Sequence, residues 1–244
     1  MTDSTVESPA ELASVQYRLD SYETLLRSFR TAGYEFVQFD PDTPPGHKEI
    51  LLRHDVDLSI DRALAMAERE RELGIASTYC FLLTAPVYNL MRPQNVRTLK
   101  RIDKLGHEVA LHFDTHSYWE QSADPSRESV AAKVTDELGV VSRLIEKELS
   151  TVSFHIPPAW VLDQPFEGFT NTYAPPFFSE IDYVSDSSQK WCSTEPFPDG
   201  LAETFQLLVH PGLWHPNHRP MAEIVGDHRR HVYAQVDSYF DPLG

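Results

Sequence analysis

Cysteine is nearly absent: the 244 residues hold only Cys80 and Cys192, too few for a disulfide framework. Cys80 sits in an apolar, strand-like run and is expected as a small buried hydrophobe. No uninterrupted apolar run reaches the roughly 18 residues of a membrane span. Residues 1–8 have neither a basic region nor an apolar core, so a secretory signal is excluded and a reduced cytoplasmic setting is the default expectation. Positive charge is scarce, with 21 Lys and Arg against 37 Asp and Glu and a formal net charge of −16. That balance argues against nucleic acid and anionic membrane surfaces as partners, because both reward clustered cations. It favours a neutral or cationic substrate, and it says nothing of the oligomeric state. There is no internal repeat and no low-complexity tract.

What is present is an ordinary globular composition, 41% hydrophobic and 24% charged. The length suits one large α/β domain, expected over residues 14–244 behind a frayed polar tail at 1–13. Between residues 15 and 32, Tyr17, Leu19, Tyr22, Leu25, Leu26 and Phe29 recur at helical spacing, and Gly33 supplies a stop. A short strand is expected at 34–39. The chain then alternates, with strands at 49–53, 75–83, 107–111 and 152–155 separated by helices at 60–73, 95–105 and 127–149. Further strands are expected at 183–185 and 205–209, and a last helix at 221–239. Six or seven strands separated by helices indicate parallel βαβ units, and an α/β barrel rather than an open sheet. Two stretches, 156–182 and 186–204, carry little periodicity and are expected as rims over a site.

Two short runs carry chemistry: Arg53-His54-Asp55-Val56-Asp57 and His112-Phe113-Asp114-Thr115-His116. Asp55 and Asp57 are two apart, so on a strand both carboxylates project from one face. One can ligate a metal while the other accepts a proton from water. His112 and His116 would lie about 13 Å apart on an extended strand, too far to share a metal with bonds of about 2.1 Å. The chain is therefore expected to curl after residue 111, since i and i+4 side chains are neighbours on a helical turn. His155, Asp186 and His210 also follow expected strands. In a barrel those ends build the active face, which points to a metal-dependent hydrolase.

The same residues resemble the polysaccharide deacetylase family, carbohydrate esterase family 4, over roughly residues 48–215. Gly106-His107-Glu108 followed by His112 and His116 is similar to its second motif. His54-Asp55-Val56-Asp57 is similar to an Asp-x-Asp variant of the first. Phe154-His155-Ile156-Pro157-Pro158 resembles the third, Tyr183-Val184-Ser185-Asp186-Ser187 with Trp191 the fourth, and Leu207-Leu208-Val209-His210 the fifth. The resemblance implies a distorted (β/α)7 barrel. It implies Asp57, His112 and His116 as metal ligands, Asp55 as general base, His210 as general acid and Asp186 as the residue that orients His210. His155 stands where the family usually presents an arginine, and it is expected to hold Asp55 with a single hydrogen bond. Backbone amides near Ala159 and Trp160 are candidates for an oxyanion hole.

The implied activity is metal-dependent N-deacetylation of an acetamido sugar or a small N-acyl compound. Zinc is the first choice, with cobalt, nickel or ferrous iron fitting similar ligands. The rivals are hydrolysis of another C–N amide, as in cyclic ureides, and a non-catalytic carbohydrate-binding barrel. Other polar residues have plainer explanations. His107 fits a structural part, and His54 either a core position or support behind the metal ligands. His215, His218, His228 and His231 are expected to face solvent. Trp160, Trp191 and Trp214 are as suited to packing as to stacking on a sugar.

Overall fold

A computed structural model of the chain describes residues 16–120 and 123–241. The expected polar tail at 1–13 lies outside these residues. Five helices are present: α1 (Leu19–Thr31), α2 (Ile60–Glu72), α3 (Pro93–Lys104), α4 (Arg127–Ile145) and α5 (Met221–Phe240). The strands are β1 (Glu35–Val37), β2 (Glu49–Val56), β3 (Thr78–Leu82), β4 (Glu108–Phe113), β5 (Thr151–Phe154), β6 (Thr170–Asn171), β7 (Asp182–Ser185) and β8 (Phe205–Val209).

All strand pairings are parallel, and the sheet runs β6-β5-β4-β3-β2-β8-β7, with β1 alongside the start of β2. The last strand, β8, pairs back with β2, Leu52 opposite Leu207. The one break in the ring falls between β6 and β7. The fold is thus a distorted (β/α)7 barrel. Its first half alternates strand and helix as the periodicity predicts. In the second half the connections are irregular, with 3-10 turns at Pro175–Phe177 and Ser187–Cys192 in place of helices.

The helix boundaries follow from local signals. Ser59 caps α2 by accepting the Arg62 amide, and Pro93 opens α3. Past the ends of α2 and α3, Gly74 (φ +68°) and Gly106 (φ +97°) take the left-handed conformation that a side chain disfavours. Each strand alternates between two environments. On β2, Ile50, Leu52, His54 and Val56 face the helices, while Arg53 and Asp55 face the barrel interior.

His54 resolves to a core position. Its Nε2 lies 2.7 Å from Glu70 Oε1, its ring stacks on Tyr79 at 4.3 Å, and all three residues are fully buried. Glu70 also accepts from Ser77 Oγ at 2.6 Å, Tyr79 Oη at 2.9 Å and Tyr22 Oη. His107 completes the cluster, donating from Nε2 to the Ala67 carbonyl at 2.9 Å. Burial alone would raise the Glu70 pKa, but His54, then His107 and Ser77, pull it down to about 2. A carboxylate depressed in the fold stabilises it above the unfolded value and loses that stabilisation as pH falls through the folded value. The melting temperature should therefore hold down to about pH 4.5 and fall from there toward about pH 2, a change worth about 3 kcal/mol. Thermal melts of wild type and Glu70→Gln across this window check the expectation. Parallel pH dependence in the two proteins would remove Glu70 from the account.

Candidate active site

At the C-terminal mouth of the barrel, side chains from five strand ends converge on a cavity of about 580 Å3. Its polar wall is Asp55, Asp57, His112, His155 and His210. Tyr173, Phe178, Tyr183, Leu208 and Met221 supply apolar walls. Ile156 and Pro157 from the first irregular stretch and Ser187 and Ser188 from the second form part of the rim. Both stretches expected as rims do flank the site.

Asp55 sits on β2, and Asp57 follows just past the strand's end. Asp57 Oδ1 lies 3.2 Å from His112 Nε2 and 3.4 Å from His155 Nδ1, and the two nitrogens are 3.2 Å apart. Four ligands bonded tetrahedrally at about 2.1 Å stand about 3.4 Å from one another, so these three atoms have the spacing of one face of such a site. Asp57 Oδ1 is buried and accepts no hydrogen bond, despite the nearby nitrogens. A cation at the centre would satisfy it. The protonation pattern agrees: Ser153 Oγ gives its single proton to Asp55 Oδ2 at 3.2 Å, so it accepts from His112 Nδ1 at 3.1 Å. His112 then carries its proton on Nδ1 and turns the Nε2 lone pair to the centre. The residues fit a divalent ion. Although burial opposes the Asp57 charge, the neighbouring imidazoles of His112 and His155, with His210, hold its pKa well below the usual carboxylate range.

The three side chains that converge differ from the expected Asp57, His112 and His116. The chain does curl as required, into a 3-10 turn at Thr115–Ser117, but β4 runs on to Phe113 and keeps His112 within the strand. A 3-10 turn has three residues per turn, so it does not stack i over i+4. Asp114 caps the turn through the His116 amide at 2.9 Å and lies 3.2 Å from His116 Nδ1. His116 is exposed and does not line the cavity, and His155 from the end of β5 takes the third place beside Asp57 and His112.

His155 consequently does not hold Asp55. Arg53 does, two residues earlier on the same strand face. Arg53 Nη2 donates to Asp55 Oδ2 at 3.1 Å and to Tyr173 Oη at 2.7 Å. Its Nη1 donates to Thr172 Oγ1 at 2.8 Å and Gln206 Oε1 at 2.7 Å, and the guanidinium lies over the Tyr173 ring at 4.5 Å. Burial would raise the Asp55 pKa, but Arg53, then His112 and His210, keep it below the usual carboxylate range. Asp55 Oδ1 is buried without a hydrogen-bond partner, and Asp55 lines the cavity.

Asp186 and His210 are paired as expected. His210 Nδ1 donates to Asp186 Oδ1 at 2.6 Å, and Asp186 also accepts the His210 amide and Trp214 Nε1 at 2.8 Å. His210 Nε2 faces Asp57 Oδ2 at 3.7 Å. Burial opposes a charge on this ring, but Asp186 outweighs it, with Asp57 and Asp55 assisting, and the pKa is pushed up to about 9. His210 is therefore protonated at neutral pH. Trp191 and Trp214 are fully buried packing residues. Ala159 and Trp160 lie on a 3-10 turn, and the cavity is lined instead by Ile156, Pro157 and Leu162 from that segment.

No family model matches the sequence, and no curated protein does. Solved structures do match. A Streptococcus pyogenes deacetylase in complex with acetate is 13% identical, covering 85% of this chain and 89% of its own, with a TM-score of 0.46. A family 4 acetyl xylan esterase from Clostridium thermocellum, with a cobalt ion, is 12% identical over 76% and 84% of the two chains, with a TM-score of 0.43. A CE4 family pseudoenzyme from Bacillus anthracis is 14% identical at a TM-score of 0.43, and the match covers 78% of this chain and 62% of that one. Among the described residues, no helix is long and apolar enough to cross a membrane.

Proposed function

We propose that the protein is a divalent-metal-dependent amidohydrolase that removes an acetyl group from the nitrogen of a small acetamido compound, most simply an acetamido sugar. The observation that carries this reading is one set of groups at one cavity: three converging ligand atoms, a buried aspartate with an unpartnered oxygen, and a histidine paired with a second buried aspartate. Asp57 Oδ1, His112 Nε2 and His155 Nδ1 would hold the ion. Bound there, it supplies a Lewis acid that activates water near neutral pH and polarises the acyl oxygen.

The chain's own groups supply the proton transfers. Asp55 is kept ionised by Arg53, and its Oδ1 is free to take a proton from the attacking water. Ser153 and Arg53 both occupy Oδ2, so they fix the carboxylate without blocking that oxygen. His210 gives a proton from Nε2 to the departing amine, and Asp186 holds the opposite ring nitrogen so that Nε2 stays aimed at the cavity. A carbohydrate-binding barrel without catalysis would have no use for the ionised Asp55 and protonated His210 at the same cavity.

The cavity volume also supports a small substrate, since about 580 Å3 lies within the range of sites that enclose one small molecule. Acetate release from acetamido monosaccharides should exceed that from chitin or peptidoglycan oligomers under identical conditions. Turnover that rises with oligomer length would replace the enclosed pocket with an open groove. Acetate release from neither class, by zinc-, cobalt- or iron-loaded protein, would end the deacetylase reading.

A further inference from the structure

A second cavity of about 480 Å3 adjoins the first and has no part in the reaction above. Leu58 and Val87 line both, so the two cavities meet at these side chains. Leu58 packs on Gly212 so closely that a β-carbon there would come within 2.7 Å of Leu58 Cβ. Beyond it the lining turns cationic. Arg62, Arg92 and Arg219 reach the cavity, against two carboxylates, Asp61 and Asp227. In a chain of net charge −16 this local excess runs against the whole surface.

The arginines differ in how they are employed. Arg219 pairs with Asp227 and lies 3.5 Å from Glu223, and Asp227 is further occupied by Arg230. Arg62 and Arg92 have no carboxylate within ion-pair distance among the described residues. Burial and the nearby Arg219 lower the Arg62 pKa, and burial with Arg62 and Arg219 takes His215 down to about 4. The cavity therefore holds positive charge that the fold does not neutralise. The first turn of α2 also lines it, from Ser59 to Arg62. Ser59 Oγ accepts the Arg62 amide, while the amides of Ile60 and Asp61 lie ahead of any intrahelical acceptor. A helix start beside unpaired guanidinium groups is suited to phosphate oxygens.

We infer that this cavity binds a phosphate or pyrophosphate group carried by the substrate, so that the compound deacetylated is a phosphorylated acetamido sugar. The position of the group along the substrate rests on the deacetylase reading of the neighbouring cavity; the anion site itself does not. Such a substrate would be anionic, unlike the neutral or cationic one that the net charge favours.

Calorimetric titration of the metal-loaded protein with sodium pyrophosphate tests the site without requiring turnover. One saturable site is expected. Its affinity should fall at least tenfold in the Arg62→Glu, Arg92→Glu double variant, stay within a few fold in Arg62→Lys, and persist in Asp57→Asn, which disables only the acyl site. No saturable binding to the wild type would overturn the inference. So would equal affinity in the double variant, or loss of binding in Asp57→Asn alone, which would put the anion at the acyl site. Acetate release then tests the substrate class. KM for N-acetylglucosamine 1-phosphate should be at least tenfold below that for N-acetylglucosamine, and the gap should close in the double variant with kcat for the free sugar unchanged. Equal KM values would overturn the assignment of the anion to the substrate. If neither sugar is turned over, the deacetylase reading fails, while the pyrophosphate titration still decides the cavity.

Discussion

Asp55→Asn should abolish most turnover while leaving the ion in place. The substitution keeps the shape of the side chain, and its carbonyl oxygen can still accept from Arg53 and Ser153. What it removes is the basic oxygen now without a partner, Oδ1. An amide nitrogen at that position cannot take a proton from water. General-base catalysis is typically worth about 100- to 10,000-fold, and kcat should fall by that factor. Metal content should stay near that of the wild type, because Asp57, His112 and His155 are untouched. A rate within a few fold of wild type would remove Asp55 from the proton transfer and return the choice of base to Asp57.

Arg53→Ala should damage both the fold and the reaction. The guanidinium is fully buried and joins Asp55 to Thr172, Gln206 and Tyr173, which lie on or beside two other strands. Removing it leaves Asp55 as a buried carboxylate without its cation, which costs about 3–5 kcal/mol. For a chain of this size that lowers the melting temperature by on the order of 10 °C. The Asp55 pKa should rise at the same time, since burial then acts with less opposition. Arg53→Lys should recover part of the stability but not the geometry, because an ammonium group cannot span Thr172, Gln206 and Asp55 together. A melting temperature unchanged in Arg53→Ala would show that water or rearranged side chains replace the guanidinium at no cost.

Much of the framework is legible in the sequence because it rests on local rules. Phe205–Val209 is an uninterrupted apolar run of strand length, and α2 and α3 end at glycines that the pattern already marks. The failures come where function alters the pattern. Apolar periodicity stops β2 at Arg53, whereas the strand continues to Val56, because its inward residues are the charged Arg53 and Asp55 rather than core residues. The strand β6 is two polar residues, Thr170 and Asn171, and its place is fixed by pairing with Thr151 and Val152 rather than by its own composition. His215 was expected in solvent, but it is buried and its Nε2 lies 3.2 Å from the Gly212 carbonyl.

The site was legible as a set of residues and less so as a set of contacts. Asp186 and His210 pair as the motifs imply, since each follows a strand and those strands are neighbours. The partners of Asp55 and of Asp57 depend on which strand ends face each other across the barrel mouth, and spacing along the chain does not encode that. One signal was available. Arg53, Asp55 and Asp57 fall at i, i+2 and i+4, so an arginine on the inner face beside Asp55 follows from the alternation of a strand. Ser153 stands in the same relation to His155 on β5, and its hydroxyl joins His112 to Asp55.

The metal content of two purified variants, His155→Ala and His116→Ala, tests the central claim most directly. Both lose one imidazole, and both histidines lie outside the fully buried core. With the ion held by Asp57, His112 and His155, the protein carrying His155→Ala should retain less than about a tenth of the wild-type metal after dialysis, since a lost ligand removes most of the affinity. The His116→Ala protein should stay near stoichiometric. Full metal in His155→Ala together with loss in His116→Ala would contradict the account and restore the i, i+4 histidine pair as the ligand set.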